Sequence, residues 1–354
     1  MDQKLRFDKF MEQALYHPQH GYYSSSIGKK IGRDGDFFTS VSVGDTFGVL
    51  LCHAIEQKWQ NLCPENDLPL VIVEQGAHDA QLARDILEGF RSRNSPLYEK
   101  IEYRIIEPRE TIRREITEIA DCTGYSPKLY PVQSMADARA EAGIFLCNEL
   151  LDAFPVRRFV HEKGRWLEQW VAFEDKFIFT NEEIPSDDED FQRFLNLLGE
   201  TTEFEDGYET EFCPNVKNWI TDCSQLFEKA GSWLIIDYGF EAEDYFAKSR
   251  KTGTLQCYHQ HRTHDDPLFR PGECDITAHV NFTDLTREAE RAGLEAVTLT
   301  DQSKFLIEAG RDWLLSFEGQ APGPAEAAKL RQFQTLTHPS MMGRSFRVAE
   351  FRKG

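Results

Sequence analysis

The stretch from residue 70 to residue 87, LVIVEQGAHDAQLARDIL, carries three patterns in succession. Residues 70–73 form an apolar run with the length of a buried strand. Residues 74–80 are a polar turn with one glycine, Gly76. Apolar residues then recur at helical spacing, at Leu82, Ala83, Ile86 and Leu87. The stretch therefore predicts a strand, a tight turn and a helix start, the local structure that binds nucleotide-type ligands in open α/β sheets.

Alternation of strand and helix patterns continues along the rest of the chain. The patterns predict further strands at 103–106, 128–132, 144–147 and 233–236, and helices at 5–16, 47–59 and 111–120. Two more strands, at 294–300 and 345–351, lie close in sequence to the end and suggest an antiparallel pair at the sheet edge. We therefore predict an α/β fold, a doubly wound parallel sheet whose last strand is antiparallel.

Other segments do not follow this alternation. Residues 21–44 hold five glycines among aromatic residues and predict an ordered loop near a site. Residues 166–180 alternate like a hairpin, and the acidic run 186–190 predicts a solvated loop. We predict N-terminal helices and a glycine-rich loop covering the cleft at 1–69, a core at 70–155 and 230–354, and an inserted α+β region on the substrate side at 156–229.

Composition narrows the functional classes. The net charge of −20 opposes binding to nucleic acid or to an anionic membrane surface, since both need a basic face. None of the eight cysteines has CxxC spacing, so we predict reduced thiols. The sequence has no apolar stretch near 18 residues and no presequence pattern at its start. We therefore expect a cytoplasmic protein without membrane insertion.

The turn at Gly76 has two interpretations on its own. Glycine there lets the backbone approach a ligand, and an acid after the next strand, here Glu107, can bind ribose hydroxyls. Glu107 comes 31 residues after Gly76, whereas the dinucleotide fingerprint has a spacing of about 20. A nicotinamide oxidoreductase is therefore disfavoured. A plain turn glycine remains an alternative on this motif alone.

Longer motifs resemble one known family over nearly the whole chain, from about Phe7 to Phe351. The matching stretches are HPQHGYYSS (17–25), GRDGDFFTS (32–40), EQGAHDAQLARDIL (74–87), IIEP (105–108), CNELLDAFPV (147–156), LIIDYG (234–239) and the run from GTLQ to FTDL (253–285). They are similar to the MidA-like family of S-adenosylmethionine (SAM)-dependent methyltransferases. This resemblance implies a class I SAM-methyltransferase (Rossmann-like) fold. The family's mitochondrial member is a complex I assembly factor that dimethylates an arginine.

The resemblance implies a set of cofactor-binding residues, with S-adenosylhomocysteine as product. The family's loop reads roughly E-x-G-x-G-x-G, and here His78 and Ala80 stand where its second and third glycines would be. After the family's G-D-F-x-T-S it usually has Pro-Glu, and this chain has Val41 and Ser42. The predicted cofactor-binding residues are Thr39, Ser40, Glu74, Gly76, Ala77, His78, Glu107 and Asn148.

Arginine methylation explains the catalytic candidates that the resemblance implies. A guanidinium has no free lone pair, so attack on the SAM methyl group needs carboxylates to hold it and localise its charge. Glu149 and Asp152 follow the strand at 144–147, and each could instead be an ordinary loop acid. The predicted catalytic residues are Asp36, Glu149, Asp152 and His264. The run HxHxxHDD at 259–266 fits no common zinc pattern, and we predict no metal.

Three hypotheses remain. The first is a SAM-dependent methyltransferase acting on a protein arginine, with a respiratory-complex subunit as one possible substrate. The second is a SAM-fold assembly or interaction factor with weakened catalysis, which the changes at His78, Ala80, Val41 and Ser42 motivate. The third is the oxidoreductase. The sequence leaves monomer and homodimer open.

Overall fold

The computed structural model describes residues 4–23, 39–65, 68–199, 203–260, 262–319 and 321–354. The chain forms two compact units. Unit 1 contains the described residues within 1–38, 151–219 and 239–288. Unit 2 contains those within 39–150, 220–238 and 289–354. These limits differ from the predicted ones, because residues 39–69 join unit 2 and residues 239–288 join unit 1.

Sixteen strands and eleven α-helices occur among the described residues. The strands are β1 (Leu5–Arg6), β2 (Leu70–Gln75), β3 (Ile101–Ile106), β4 (Leu129–Val132), β5 (Ala140–Asn148), β6 (Arg157–Glu162), β7 (Arg165–Phe173), β8 (Phe177–Glu182), β9 (Tyr208–Phe212), β10 (Phe227–Phe240), β11 (Gln256–His259), β12 (Arg262–His264), β13 (Asp275–Thr277), β14 (Val280–Asn281), β15 (Glu295–Asp301) and β16 (Phe346–Lys353). The helices are α1 (Phe7–Tyr16), α2 (Thr46–Leu62), α3 (Gln81–Ser92), α4 (Glu110–Thr123), α5 (Glu189–Leu198), α6 (Val216–Cys223), α7 (Ala242–Tyr245), α8 (Phe282–Arg291), α9 (Gln302–Ala309), α10 (Arg311–Leu315) and α11 (Pro324–Thr337).

Unit 2 is built on one mostly parallel sheet. Its strand order is β15-β16-β10-β5-β2-β3-β4. Strands β10, β5, β2, β3 and β4 run parallel, while β16 is antiparallel to both β10 and β15. The predicted α/β class and the antiparallel strand pair at the edge are therefore confirmed.

Continuous apolar runs explain the central strands of this sheet. The first four residues of β2 are all buried, as are Ile144 to Cys147 in β5 and Trp233 to Ile236 in β10. Strands of parallel sheets that are covered on both faces typically consist of such continuous apolar runs. Helix α2 packs against α3 in the same core through Leu51, Ile55 and neighbouring apolar residues.

Unit 1 contains two smaller sheets. One has the order β1-β7-β6-β9 with β8 paired to β7, and the other has the order β12-β11-β13. The antiparallel pair β7 and β8 confirms the hairpin predicted at 166–180. Within unit 1, the last residues of β10, Gly239 and Phe240, also pair in parallel with β14.

The acidic run at 186–190 is more than the solvated loop that its composition predicts. Asp188 caps α5 by accepting a hydrogen bond from the Phe191 backbone N–H at 2.8 Å. Its two carboxylate oxygens also bind the buried Arg157 guanidinium at 2.7 and 2.9 Å. Glu168 on β7 binds the other side of Arg157 at 2.7 and 3.0 Å. The solvated-loop prediction is therefore wrong for Asp188, because a buried arginine on β6 needs carboxylate partners.

Within the described ranges, no helix combines the length and the apolar character needed to cross a bilayer.

Candidate functional site

The candidate site lies at the carboxyl edge of the parallel strands in unit 2. From β2 the chain adds β3 and β4 on one side, and then returns to add β5 and β10 on the other. Strand order therefore reverses between β2 and β5. Open α/β sheets bind ligands at this kind of edge. Candidate ligand-binding residues therefore lie at the carboxyl ends of β2, β3, β5 and β10 and directly after them.

The loop after β2 has a glycine-type backbone at three positions. Gly76 has a φ of +86°, His78 of +48° and Ala80 of +60°. A Cβ on Gly76 would lie 3.2 Å from Leu150 Cδ1, so the loop also comes close to the segment after β5. Two of these positions carry side chains that disfavour a left-handed backbone. The loop thus keeps the shape that glycines would give it, at a cost in strain.

The two replaced glycines differ in where their side chains lie. The His78 side chain is 41% exposed, and its Nδ1 lies 3.7 Å from Asp79 Oδ1. Ala80 is fully buried at the start of α3, and its N–H donates to the Ala77 carbonyl at 2.7 Å. The substitution at His78 therefore adds a side chain that faces solvent, and the one at Ala80 adds only a packed methyl group.

Glu74 is a buried carboxyl group at the base of this loop. It is 2% exposed and accepts a hydrogen bond from the Tyr103 hydroxyl at 2.7 Å. Burial raises the pKa of Glu74 to about 7, against the opposite effect of the Tyr103 hydrogen bond. Sequence reasoning missed Tyr103, because it reads as one more apolar residue of β3. The contact anchors the end of β2 to the neighbouring strand.

Glu107 follows β3, and its carboxylate is bound by Arg109. Arg109 Nε and the Arg109 backbone N–H both donate to Oε1 at 2.8 Å. Arg109 Nη2 donates to Oε2, also at 2.8 Å. Glu107 therefore lies at the position predicted for the ribose-binding acid, together with a cation that sequence reasoning missed.

Asn148 is the last residue of β5, and Glu149, the next residue, connects this strand end to the segment at Ser40. Asn148 Nδ2 donates to Glu149 Oε1 at 2.9 Å, and the Ser40 backbone N–H donates to the same oxygen at 3.1 Å. Burial raises the pKa of Glu149 to about 8. Glu149 has a φ of +53°, a strained conformation that is common at functional sites. Both donors bind Oε1, while Oε2 accepts no hydrogen bond from the described residues.

Asn148 Oδ1 is a further polar atom at this edge. It is buried and has no hydrogen-bond partner among the described residues. Such atoms are rare in folded proteins and indicate either strain or a missing polar partner. Asn148 therefore offers an acceptor to a ligand at the β5 end.

Thr39 and Ser40 begin a short turn that is held by reciprocal hydrogen bonds. The Thr39 N–H donates to Ser42 Oγ at 2.9 Å, and the Ser42 N–H donates to Thr39 Oγ1 at 3.1 Å. The Ser40 hydroxyl donates a hydrogen bond to Gln302 Oε1 at 3.2 Å. Ser42, at one of the two positions where the resemblance to the MidA-like family implies Pro-Glu, thus has a structural role in fixing Thr39.

Asp237 is a site residue that sequence reasoning did not select. It is fully buried near the end of β10 and accepts the Leu150 N–H at 3.1 Å and the Tyr238 N–H at 2.8 Å. It therefore fixes the segment just after Glu149. An acid directly after the apolar run 233–236 was the available signal.

The remaining predicted catalytic residues do not belong to the described part of unit 2. Asp152 and His264 belong to unit 1. The Asp152 carbonyl accepts the Ala278 N–H at 2.8 Å, and the His264 ring packs edge-on against Phe269 at 5.2 Å. Asp36 lies outside the described residues. Glu149 and all eight predicted cofactor-binding residues belong to unit 2.

This edge fits SAM. The Gly76 turn would allow close approach of the backbone, Glu107 would supply a carboxylate for the ribose hydroxyls, and Asn148 Oδ1 is a buried acceptor without a donor among the described residues. SAM carries hydroxyl, amino and ammonium donors that match these acceptors. The strand order with an antiparallel β16 and this edge define a class I SAM-dependent methyltransferase.

Comparison with known proteins agrees with this class. Residues 50–300 match the profile of a family of S-adenosyl-L-methionine-dependent methyltransferases, which is more than half of the chain. The protein therefore belongs to this SAM-dependent methyltransferase family, as the MidA-like resemblance predicted.

Curated relatives of the chain are mitochondrial proteins. It is 27% identical over 365 residues to the protein arginine methyltransferase NDUFAF7 of Rattus norvegicus, a match that covers 96% of this chain and 78% of the relative. It is 26% identical over 371 residues to the Drosophila melanogaster homologue, with 96% and 79% coverage.

A solved structure supports the cofactor. The crystal structure of a Burkholderia thailandensis protein bound to S-adenosyl-homocysteine matches with a TM-score of 0.83 and 26% identity. The match covers 99% of this chain and 88% of that one. SAM is thus the cofactor of this protein, with S-adenosylhomocysteine as its product.

Proposed function

We propose that the protein transfers a methyl group from SAM to an arginine side chain of a protein substrate. The observation that carries this proposal is the asymmetry of Glu149. Its Oε1 is held by Asn148 and Ser40, while Oε2 accepts nothing from the described residues. One carboxylate oxygen is therefore fixed, and the other is available to a guanidinium N–H.

The chemistry assigns Glu149 two tasks. Bound SAM supplies an electrophilic methyl group on a sulfonium, which leaves as a neutral thioether. As the new N–CH₃ bond forms, the guanidinium nitrogen must lose one proton. The Glu149 carboxylate would orient the guanidinium by a charge-assisted hydrogen bond and then accept that proton. Because its pKa is about 8, the Glu149 carboxyl group is mostly protonated at neutral pH, and the ionised form that both tasks need becomes the major one as the pH rises through about 8.

The names of the curated relatives support arginine as acceptor, since both proteins described above are protein arginine methyltransferases. For this chain, arginine specificity, a respiratory-complex subunit as the substrate and a cytoplasmic location are parts of the proposal.

A two-stage experiment tests it. Isothermal titration with S-adenosylhomocysteine first measures cofactor binding. The protein is then incubated with SAM carrying a labelled methyl group and a bacterial lysate, and the labelled protein is hydrolysed to amino acids. We expect the label in methylated arginine. Label in another amino acid would overturn the arginine assignment, and binding without any transfer would favour the interaction-factor hypothesis.

A matched pair of variants tests the role of Glu149. Glu149→Gln keeps an oxygen for Asn148 and Ser40 but cannot accept a proton, so transfer should slow by roughly 100-fold or more, with binding little changed. Glu141→Gln alters an exposed carboxylate at the opposite end of β5 and should act like the wild type. Equal rates for both variants would show that Glu149 is not catalytic.

A further inference from the structure

The carboxylate of Glu107 is already used by the chain itself. Arg109 binds it with two guanidinium nitrogens and with its backbone N–H, all at 2.8 Å. The Glu107 side chain is 10% exposed and that of Arg109 is 44% exposed. Glu107, the predicted ribose-binding acid, thus forms a bidentate ion pair with Arg109.

The number of lone pairs on the Glu107 carboxylate limits how many donors it can bind at once. A carboxylate offers about four acceptor positions, two on each oxygen. Oε1 takes two hydrogen bonds from Arg109 and Oε2 takes one. A ribose diol held by both oxygens needs one free position on each of them. Oε1 has none left, so the guanidinium and the ribose cannot both be fully bound.

The location of Arg109 weakens its ion pair with Glu107. It is the N-cap residue of α4, and the N-terminus of a helix carries partial positive charge. A cation there is disfavoured unless an acid compensates, and its side chain makes no capping hydrogen bond. The pair is also partly exposed and screened by salt. The ion pair between Arg109 and Glu107 is therefore weak enough for a competing ligand to displace.

We propose that Arg109 competes with the cofactor ribose for Glu107, so that SAM or its product binds only as the guanidinium withdraws from Oε1. Arg109 then sets the cofactor affinity below the value that Glu107 alone would give. This inference rests on the assignment of Glu107 to the ribose. It is independent of the methyl acceptor.

The test is isothermal titration of the full chain with S-adenosylhomocysteine, which has no net charge. Arg109→Ala should tighten binding by about two- to fivefold, the size of a partly exposed ion pair. In the wild type, affinity should rise as NaCl increases from roughly 20 to roughly 500 mM, because salt weakens the competing pair. Arg109→Ala should lose that salt response.

Two further variants separate competition from other roles. Arg113 is a matched control, since its Nη1 donates to the backbone carbonyls of Glu107 and Pro108 at 2.8 and 2.6 Å and not to the carboxylate. Arg113→Ala should change neither the affinity nor its salt response. Arg109→Lys keeps the positive charge but loses the bidentate guanidinium, and this variant should bind S-adenosylhomocysteine with an affinity between those of the wild type and Arg109→Ala.

The outcomes are distinct. Weaker or unchanged binding by Arg109→Ala would overturn the proposal, and weaker binding would make Arg109 a positioning residue for Glu107. Glu107→Gln should weaken binding, and no effect there would remove the ribose assignment together with the competition. If Arg109→Ala fails to fold, the wild-type salt response and Arg109→Lys decide. A wild-type affinity that falls or stays constant with salt counts against the proposal.

Discussion

At the level of single residues, the protonation of Glu149 connects stability and activity. Burial raises its pKa to about 8 from a usual value of 4.5, so between these values the folded state keeps a proton that the unfolded state has released. Stability linked to Glu149 is therefore present at about pH 5 and is lost as the pH rises through about 8. Glu149→Gln resembles the protonated form and lacks this dependence.

We expect the stability difference between Glu149→Gln and the wild type to grow in favour of the variant by up to about 4 kcal/mol from pH 5 to pH 8.5. Urea unfolding followed by fluorescence across this range measures it, with Glu141→Gln as the control. For the wild type, kcat/KM toward an arginine peptide should also rise with pH through about 8, because the ionised carboxylate holds the guanidinium. A flat profile would contradict this role.

His78 provides a second test at this scale. A left-handed backbone costs a non-glycine residue about 1–2 kcal/mol, and glycine loses about 0.5–1 kcal/mol more entropy on folding. His78→Gly should therefore stabilise the protein by roughly 0.5–1 kcal/mol in urea unfolding. Affinity for S-adenosylhomocysteine should change less than about twofold, because the side chain is exposed.

The matched control for His78 is Lys163→Gly, since Lys163 also has a positive φ, +51°, in unit 1. It should give a similar gain in stability and no change in affinity. Much tighter cofactor binding by His78→Gly alone would show that the imidazole obstructs the ligand.

Candidate site residues could be selected from the sequence where they belong to contiguous motifs. Glu74 and Asn148 lie at the carboxyl ends of β2 and β5, Gly76 and Glu107 directly follow β2 and β3, and parallel strands bring their carboxyl ends to one edge. Residues that act through partners distant in sequence were not predictable in this way. Nothing in the local pattern at Tyr103 reveals its hydrogen bond to Glu74, 29 residues away.

At the level of elements, one acidic residue, Asp188, contributes to the stability of both α5 and β6. Asp188 caps α5 and also binds Arg157, which is 1% exposed. Asn caps a helix as well as Asp does, so Asp188→Asn should lose mainly the ion pair, at a cost of about 1–3 kcal/mol. Asp188→Ala should cost about 1 kcal/mol more, the value of a cap.

The control for both variants is Asp187→Ala, because Asp187 is the exposed neighbour in the same acidic run. It should shift the free energy of unfolding in urea by less than about 0.5 kcal/mol. If Asp188→Asn and Asp187→Ala change the free energy of unfolding equally, Glu168 alone is sufficient to pair with the Arg157 guanidinium.

Elements were predictable where one face or the whole segment is apolar. Strand β2 and helix α3 have such patterns; β2 was predicted at 70–73 and ends at Gln75, and the predicted helix start agrees with the start of α3 at Gln81. Helix α11 was not predicted, because only Leu336 and Thr337 of its residues are buried and no apolar stripe marks it. Strand β10 was predicted only at 233–236, since its ends are polar or glycine-containing.

At the level of the whole molecule, the net charge of −20 bears on the choice of substrate. An acidic protein attracts a basic peptide over a distance set by the Debye length, about 10 Å at 0.1 M salt. We expect kcat/KM for an arginine peptide flanked by lysines to fall about three- to tenfold between roughly 50 and roughly 300 mM NaCl. The effect should reside in KM, because salt weakens encounter and binding more than the buried chemical step.

A peptide with the same arginine between serine and glycine residues is the comparison. It should show a much smaller salt effect, because only its guanidinium is attracted. Saturating SAM in both series excludes any contribution from the Glu107–Arg109 pair. Equal salt effects on the two peptides would show that recognition is confined to the guanidinium at Glu149, and that the charge of the molecule as a whole does not select its substrate.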